Sequence, residues 1–295
     1  MEKILITGAG GYVGRTVLSY MKDKGYDVIP LKERLENLPP RSLDYDLIIH
    51  CAGALRHRTD DLYRSNILGT DTLLKAIKNP TCRILYLSSR AVYAPSASPL
   101  REDSGVLFPF SDNMCSTGPG QKHPDYYGVT KLTAEYLVSQ SGFPFAVIRP
   151  TNIYGLGVEN MSICLPAKIL HNILLGREIT LYTPDRLQDY LYVWDLAYII
   201  EQIAHQMITG TCRPGLILNA AAPPSSLHQF IQGLISIAER EWHVKALCAF
   251  QEGPAARNAI VCNELAGSII PGITYTEPEA VFHKMVRYVS ENQRT

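Results

Sequence analysis

The chain has 295 residues, of which 46% are apolar and 19% charged, and its formal net charge is zero. That is enough apolar material for a large packed core. There is no basic tract to favour nucleic acid or an acidic membrane surface, and no apolar window long enough to span a bilayer. Seven cysteines, at 51, 82, 115, 164, 212, 248 and 262, are scattered without a CxxC, and none of the eight histidines stands in ligand spacing. Reduced thiols, a cytoplasmic location and no metal follow as expectations.

In chain order, Lys3 to Thr7 reads as a short buried strand, followed at once by Gly8-Ala9-Gly10-Gly11-Tyr12-Val13-Gly14. A helix from about Tyr12 to Lys24, stopped by Gly25, and a strand from Tyr26 to Leu31 complete a βαβ unit. Glycines between a strand and a helix form a dinucleotide cradle, so Gly8, Gly11, Tyr12, Val13 and Gly14 are expected against a cofactor pyrophosphate. At the end of the second strand an acid would bond the ribose 2′-hydroxyl of NAD; here Lys32 stands in that place. With Arg34 nearby, a 2′-phosphate and hence NADP is the expectation. NAD is the alternative, with Glu33 on the ribose.

The stretch from Leu31 to the next strand, Asp46 to His50, is only about fifteen residues and contains Pro39-Pro40, so this crossover is abbreviated. Ala52 and Gly53 follow, where a parallel sheet opens its ligand crevice. A helix is expected from about Asp60 to Lys78, containing Asn66, then a strand from Arg83 to Leu87 ending in Ser88-Ser89. After a loop from Ala94 to Pro124 come the helix of Tyr127 and a strand from Phe145 to Ile148. Residues 152–161 read as a further loop, Pro166 to Gly176 as a helix, Tyr192 to Gln206 as a return to the core, and Leu216 to Asn219 as its last strand. The fold class is α/β, a doubly wound parallel (Rossmann) sheet with a smaller C-terminal substrate-binding lobe. The expected division is 1–155 for the core, with segments about 188–221 returning to it, and 156–187 plus 222–295 for the lobe.

Tyr127 and Lys131 are one helical turn apart, so an ammonium can lie near the phenol and favour phenolate. Tyr20 and Lys24 have the same spacing on what reads as a solvated helix; context separates the pairs. Ser89 ends a strand at the same sheet edge. The chemistry then assigns Ser89 to a hydrogen bond with the substrate oxygen and Tyr127 to proton exchange with it. Lys131 supports the phenolate and the nicotinamide ribose.

Taken together, ITGAGGYVG (6–14), NILGT (66–70), LSSRAVY (87–93), YYGVTK (126–131), RPTNIYGLG (149–157) and QDYLYVWDLA (188–197) make the chain resemble the extended short-chain dehydrogenase/reductases of the nucleotide-sugar epimerase/dehydratase family. The likeness runs over nearly the full length. It implies cofactor contacts at Asn66 and Pro150, a substrate contact at Asn152 and a homodimer through the Tyr127 helix. It also implies phosphate-binding arginines, for which Arg186 and Arg257 are the candidates, because Gln188 occupies the position where relatives often carry Arg. Arg90, beside Ser89, is a candidate for an anionic substrate group. His123 and Cys115 fall in the long loop.

The departures narrow the chemistry. Arg90 and Ala91 stand where sugar dehydratases place an extra acid, and Ala91 where two-carbon epimerases place Cys, which argues against both. The expected activity is an NAD(P)-dependent 4-ketoreductase or 4-epimerase acting on a nucleotide-linked or activated sugar. A reductase of a steroid-like or flavonoid-like ketone, and an NADP-binding regulatory protein without turnover, are the alternatives.

Overall fold

A computed structural model of the chain describes residues 2–55, 59–96, 98–107, 126–158, 160–161, 164–252 and 260–292. It divides into two compact units: Met1–Pro95, Arg101–Pro150 and Ala197–Asn219 form the first, and Ser96–Leu100, Thr151–Leu196 and Ala220–Thr295 the second.

The first unit is built on a six-stranded sheet of β1 (Ile4–Thr7), β2 (Val28–Pro30), β3 (Leu47–His50), β4 (Arg83–Leu87), β5 (Phe145–Pro150) and β6 (Leu216–Ala220), in the order β6-β5-β4-β3-β1-β2. β1 pairs in parallel with β2 and β3, β3 with β4, and β4 with β5. All residues of β1 and β3 are buried, which is why both read as unbroken apolar runs: a parallel strand covered on both faces has no polar side. β2 is shorter than Tyr26 to Leu31 predicts. It lies at the edge, where Pro30, which lacks an N–H, and the 39% exposed Ile29 are tolerated. Between β2 and β3 there is only a 3₁₀ turn, Leu35–Asn37, so the abbreviated crossover is present as expected. Strand order reverses between β1 and β3, and a reversal opens a crevice at the carboxyl ends of the two strands, here Thr7–Gly8 and His50–Gly53.

Against the sheet, Leu73, Ala76, Ala134 and Val138 pack with Leu5, Ile48 and Tyr86 into one apolar cluster. The helix expected over 60–78 is a composite: α-helical at Thr59–Leu62 and Gly69–Ala76, with a π-helical segment, Tyr63–Leu68, between. A π segment adds one residue to the turn and re-aims the side chains it carries. Asn66 is one of them.

Among its described residues the second unit carries three two-stranded sheets. Asn152–Tyr154 pairs in parallel with Tyr190–Tyr192, so the expected loop at 152–161 begins as a strand. Ile179–Tyr182 pairs with Cys248–Gln251, and Leu187–Gln188 with Ser225–Ser226. Its core is aromatic: the rings of Tyr190 and Phe230 stack at 3.8 Å, and Tyr154 meets Phe230 edge-on at 5.1 Å. Ser226 and Gln229 form a capping box that starts the Leu227–Trp242 helix.

Candidate active site

The glycine turn forms the floor of the crevice. Gly8 has φ +66°, and a Cβ on it would lie 2.6 Å from the Ala52 nitrogen; a Cβ on Gly14 would lie 2.3 Å from the Gly8 oxygen. Only glycine fits either place, and the Gly11 amide closes the turn on Gly8 O at 2.9 Å. Above it runs a groove of about 880 Å³ lined by Gly8, Ala9, Gly10, Ala52, Glu33 and Arg34, among others. Bare backbone facing a groove of that size at the switch of strand order fits a dinucleotide. Lys32, expected to meet a 2′-phosphate, is not among the residues lining the groove. Leu31 and Glu33, on either side of it, both line the groove. Arg34 lines the groove and pairs at 3.5 Å with the carboxylate of Glu36.

Beneath the groove, a chain of hydrogen bonds ties three segments together. The Ala52 amide donates to Thr7 Oγ1 (3.2 Å), Thr7 Oγ1 meets His50 Nδ1 (2.7 Å), His50 Nε2 meets Thr70 Oγ1 (3.0 Å), and Thr70 Oγ1 donates to Asn66 O (2.7 Å). Because the single Thr70 proton goes to Asn66 O, the hydrogen between Thr70 and His50 belongs to Nε2. Nδ1 is then the acceptor for the Thr7 hydroxyl, so the bonding fixes the tautomer of a neutral imidazole. Burial, reinforced by the charge of Lys131, pushes the His50 pKa down from 6.5 to about 3. Asn66, 1% exposed, accepts from the Ala54 amide (2.8 Å) and donates to Ala54 O (3.1 Å) and to Thr130 Oγ1 (3.0 Å). It therefore joins the loop after β3 to the Tyr126–Ser139 helix.

That helix carries Tyr127, half-buried in its first turn, and Lys131, 4% exposed. Lys131 Nζ donates to Leu87 O at 2.6 Å and lies 4.4 Å from the centre of the Tyr86 ring. A Cβ on Gly53 would stand 3.6 Å from Lys131 Nζ, which places Gly53 beside the ammonium. Burial pushes the Lys131 pKa down from 10.5 to about 8, opposed by the charge of Glu135. Ser89, two residues past Leu87, opens the 3₁₀ turn Arg90–Val92, and its Oγ accepts from the Ala91 amide at 3.2 Å. The helix seats directly on this turn, since a Cβ on Gly128 would lie 2.1 Å from Ala91 O.

The first unit thus gathers Gly8, Ala52, Gly53, Asn66, Ser89 and Lys131 around the carboxyl ends of β1, β3 and β4. Pro150 ends β5, and Arg90 is half-buried in the turn after Ser89. Asn152 and Arg186 belong to the second unit. Asn152 Nδ2 donates to Asp189 O at 3.1 Å, and Arg186 Nε is buried with no hydrogen-bond partner among the described residues. Arg257, His123 and Cys115 lie outside the described residues.

A model of the NAD dependent epimerase/dehydratase family matches residues 4–213. The chain belongs to this family. It is 29% identical over 226 residues to GDP-L-colitose synthase of Yersinia pseudotuberculosis, covering 67% of this chain and 70% of that one. It is 23% identical over 261 residues to GDP-6-deoxy-D-talose 4-dehydrogenase of Aggregatibacter actinomycetemcomitans, covering 82% of each. Its fold matches UDP-glucuronic acid 4-epimerase from Bacillus cereus in complex with NAD, with a TM-score of 0.77 at 18% identity, over 98% of this chain and 99% of the other. The chain is accordingly an enzyme of the short-chain dehydrogenase/reductase type, an oxidoreductase or epimerase.

Within this family frame, the residues that the motifs alone did not single out are those that hold the site in place. Thr7, His50 and Thr70 form the strut described above. Gly128 gives close approach to the Ser89 turn. Glu135 and Arg149 form a buried pair, with Arg149 Nε at 3.0 Å from Oε1 and Nη2 at 2.7 Å from Oε2. A signal for the last two existed: Glu135 is four residues beyond Lys131, on a face that must be buried, and a buried carboxylate requires a cation.

Proposed function

We propose that the chain is an NAD(P)-dependent 4-ketoreductase or 4-epimerase of a nucleotide-linked sugar, with Tyr127 as acid/base, Ser89 bonding the substrate oxygen and Lys131 supporting Tyr127. The observation that carries this reading is the buried Lys131, bonded to Leu87 O two residues before Ser89 and one helical turn from Tyr127. When bound, the nicotinamide cofactor gives or takes the hydride. Tyr127 moves the proton: its hydroxyl donates to a ketone oxygen in reduction, and its phenolate accepts the proton of an alcohol in oxidation. Ser89 steadies that oxygen, and the ammonium of Lys131 lowers the free energy of the phenolate. Gly8, Gly11, Tyr12, Val13, Gly14, Ala52, Gly53, Asn66 and Pro150 would hold the cofactor.

A nucleotide-linked substrate is supported by the two curated relatives, whose names specify a GDP-sugar. Asn152 and Arg186 are the candidates to receive it, in a second unit acting as the substrate lobe. NADP, and with it a reductase exchanging NADPH, is supported by Arg34 on the groove wall. A second reading has its own observation: Glu33 lines the same groove, where a carboxylate suits the ribose hydroxyl of NAD, and a retained NAD suits an epimerase. A homodimer is supported by Tyr63, Leu68, Tyr126 and Tyr136, exposed by 38–64% on the two neighbouring helices of the first unit. Among the described residues no helix is long and apolar enough to cross a membrane; a cytoplasmic site of action accords with the scattered thiols.

The test is to assay the purified protein for carried nucleotide, titrate it with NADPH and NADH by fluorescence, then supply GDP-, UDP- and dTDP-linked hexoses and their 4-keto forms. Exchangeable NADPH with reduction of a 4-keto sugar is the expected result. Carried NAD⁺ with interconversion of 4-epimers and no net redox change selects the second reading. Cofactor binding without turnover of any sugar overturns both.

A further inference from the structure

Lys131 is buried, and the groups that face it from the sheet offer it little negative charge. The Leu87 carbonyl accepts its proton, the Tyr86 ring lies beneath it, His50 is neutral, and burial pushes the Cys51 thiol up to about 12. An ammonium in such surroundings tends to shed its proton. Among the described residues, the only carboxylate that bears on it is Glu135.

Glu135 continues the row that Tyr127 and Lys131 begin, at i+4 and i+8 on one helical face. It is 6% exposed, and its carboxylate is clamped from the sheet: Arg149 of β5 donates to both oxygens and Ser88, just past β4, donates to Oε1. Arg149 is itself held, 4.8 Å over the Tyr93 ring and 3.3 Å from Glu102 O. A buried ion pair often gives no net stability over apolar residues of the same shape, so stability is a weak reason for three buried donors around one acid. Its place one helical turn from Lys131, whose charge it favours, supplies a reason. We propose that Glu135 is a positioning residue whose carboxylate, held in place by Ser88 and Arg149 and only partly offset by the charge of Arg149, keeps Lys131 an ammonium one helical turn from Tyr127. The inference rests on the role proposed for Lys131, but its test needs neither substrate nor cofactor.

The groups that set the balance are Glu135, Cys51, His50, Tyr86 and Tyr127 around Lys131, and Arg149, Ser88 and Tyr86 around Glu135. Removing the carboxylate must lower the pH at which Lys131 loses its proton; removing Arg149, which offsets the carboxylate, must raise it. The experiment is a ¹³C NMR titration of the full chain labelled at lysine Cε, with the Lys131 signal assigned by its loss in Lys131→Arg. The wild type is expected to titrate near pH 8. Glu135→Gln should move the midpoint down by about one pH unit, and Arg149→Gln should move it up. Mere loosening of the core would hydrate Lys131 and move every variant up, so opposite directions are what the proposal requires. An unmoved or raised midpoint in Glu135→Gln overturns it. Should that variant not fold, the double variant Glu135→Leu with Arg149→Gln leaves no unpaired charge and must titrate below Arg149→Gln alone; if it does not, the proposal is wrong. A lowered midpoint in a protein that turns over no sugar would leave this inference standing while overturning the proposed function.

Discussion

Tyr20 and Lys24 close one helix with the spacing that Tyr127 and Lys131 begin another, and the two pairs differ in almost everything else. Lys24 caps the Tyr12–Asp23 helix at the surface, its Nζ 5.6 Å from the Tyr20 ring centre. Burial, then the nearby Glu201 and Tyr198, push the Tyr20 phenol up, away from phenolate. Lys131 is instead sunk against β4, with its proton on Leu87 O and a buried carboxylate one turn further on. The spacing fixes only which face the two side chains share. Dielectric and neighbouring charge decide whether the pair can move a proton, and those come from strands far away in the sequence.

The contrast should be largest in turnover. Tyr127→Phe is expected to lower kcat about 10²- to 10⁴-fold with cofactor affinity retained, while Tyr20→Phe leaves kcat unchanged; steady-state kinetics and a fluorescence titration on the same samples read both. The helix itself offers the next effect. Gly→Ala in an exposed helix gains about 1 kcal/mol. Gly128→Ala should instead destabilise by about 1–3 kcal/mol, because its Cβ meets Ala91 O at 2.1 Å. Urea denaturation that shows a gain would remove the close seating of this helix from the account of the site.

Acid should separate the two regions further. The His50 pKa is lowered from 6.5 to about 3, so between those values the unfolded chain binds the extra proton. The contribution is complete above pH 6.5 and is lost as pH falls toward 3, by up to about 1.4 kcal/mol per pH unit. Denaturation midpoints at pH 7, 6 and 5 should fall more steeply for the wild type than for His50→Gln. At the rim of the groove the effects shrink. Arg34→Ala should weaken NADPH about tenfold relative to NADH, whereas Lys32→Ala, off the groove lining, should leave the ratio unchanged; a reversal of those two outcomes would restore Lys32 as the selecting residue. Lys24→Met, at the exposed pair, should change stability by less than about 0.5 kcal/mol.

The sheet, its glycine turn and the short crossover were legible because each depends on local rules: a fully buried strand reads as an apolar run, a turn with positive φ needs glycine, and fifteen residues cannot hold a helix and a strand. Ser89, Tyr127 and Lys131 could be put forward as a set from the sequence because strand ends and helix starts meet at one edge of a parallel sheet. That Lys32 is not among the groove's lining residues was not legible, because the chain bends at Glu33 after β2 has ended. The π segment around Asn66 was also hidden, since its hydrogen bonds to Ala54 and Thr130 form only once β3 and the Tyr126–Ser139 helix are together.

By itself, then, the sequence determined the order of elements, the glycine cradle and the residue types able to exchange a proton, all of which follow from backbone sterics, periodicity and intrinsic chemistry. Only the tertiary structure decided that His50 is a neutral strut, that Glu135 and Arg149 close on each other beside Lys131, and that Glu33 and Arg34 rather than Lys32 line the groove. Those outcomes turn on burial and on charges brought together from distant strands, which no local pattern encodes.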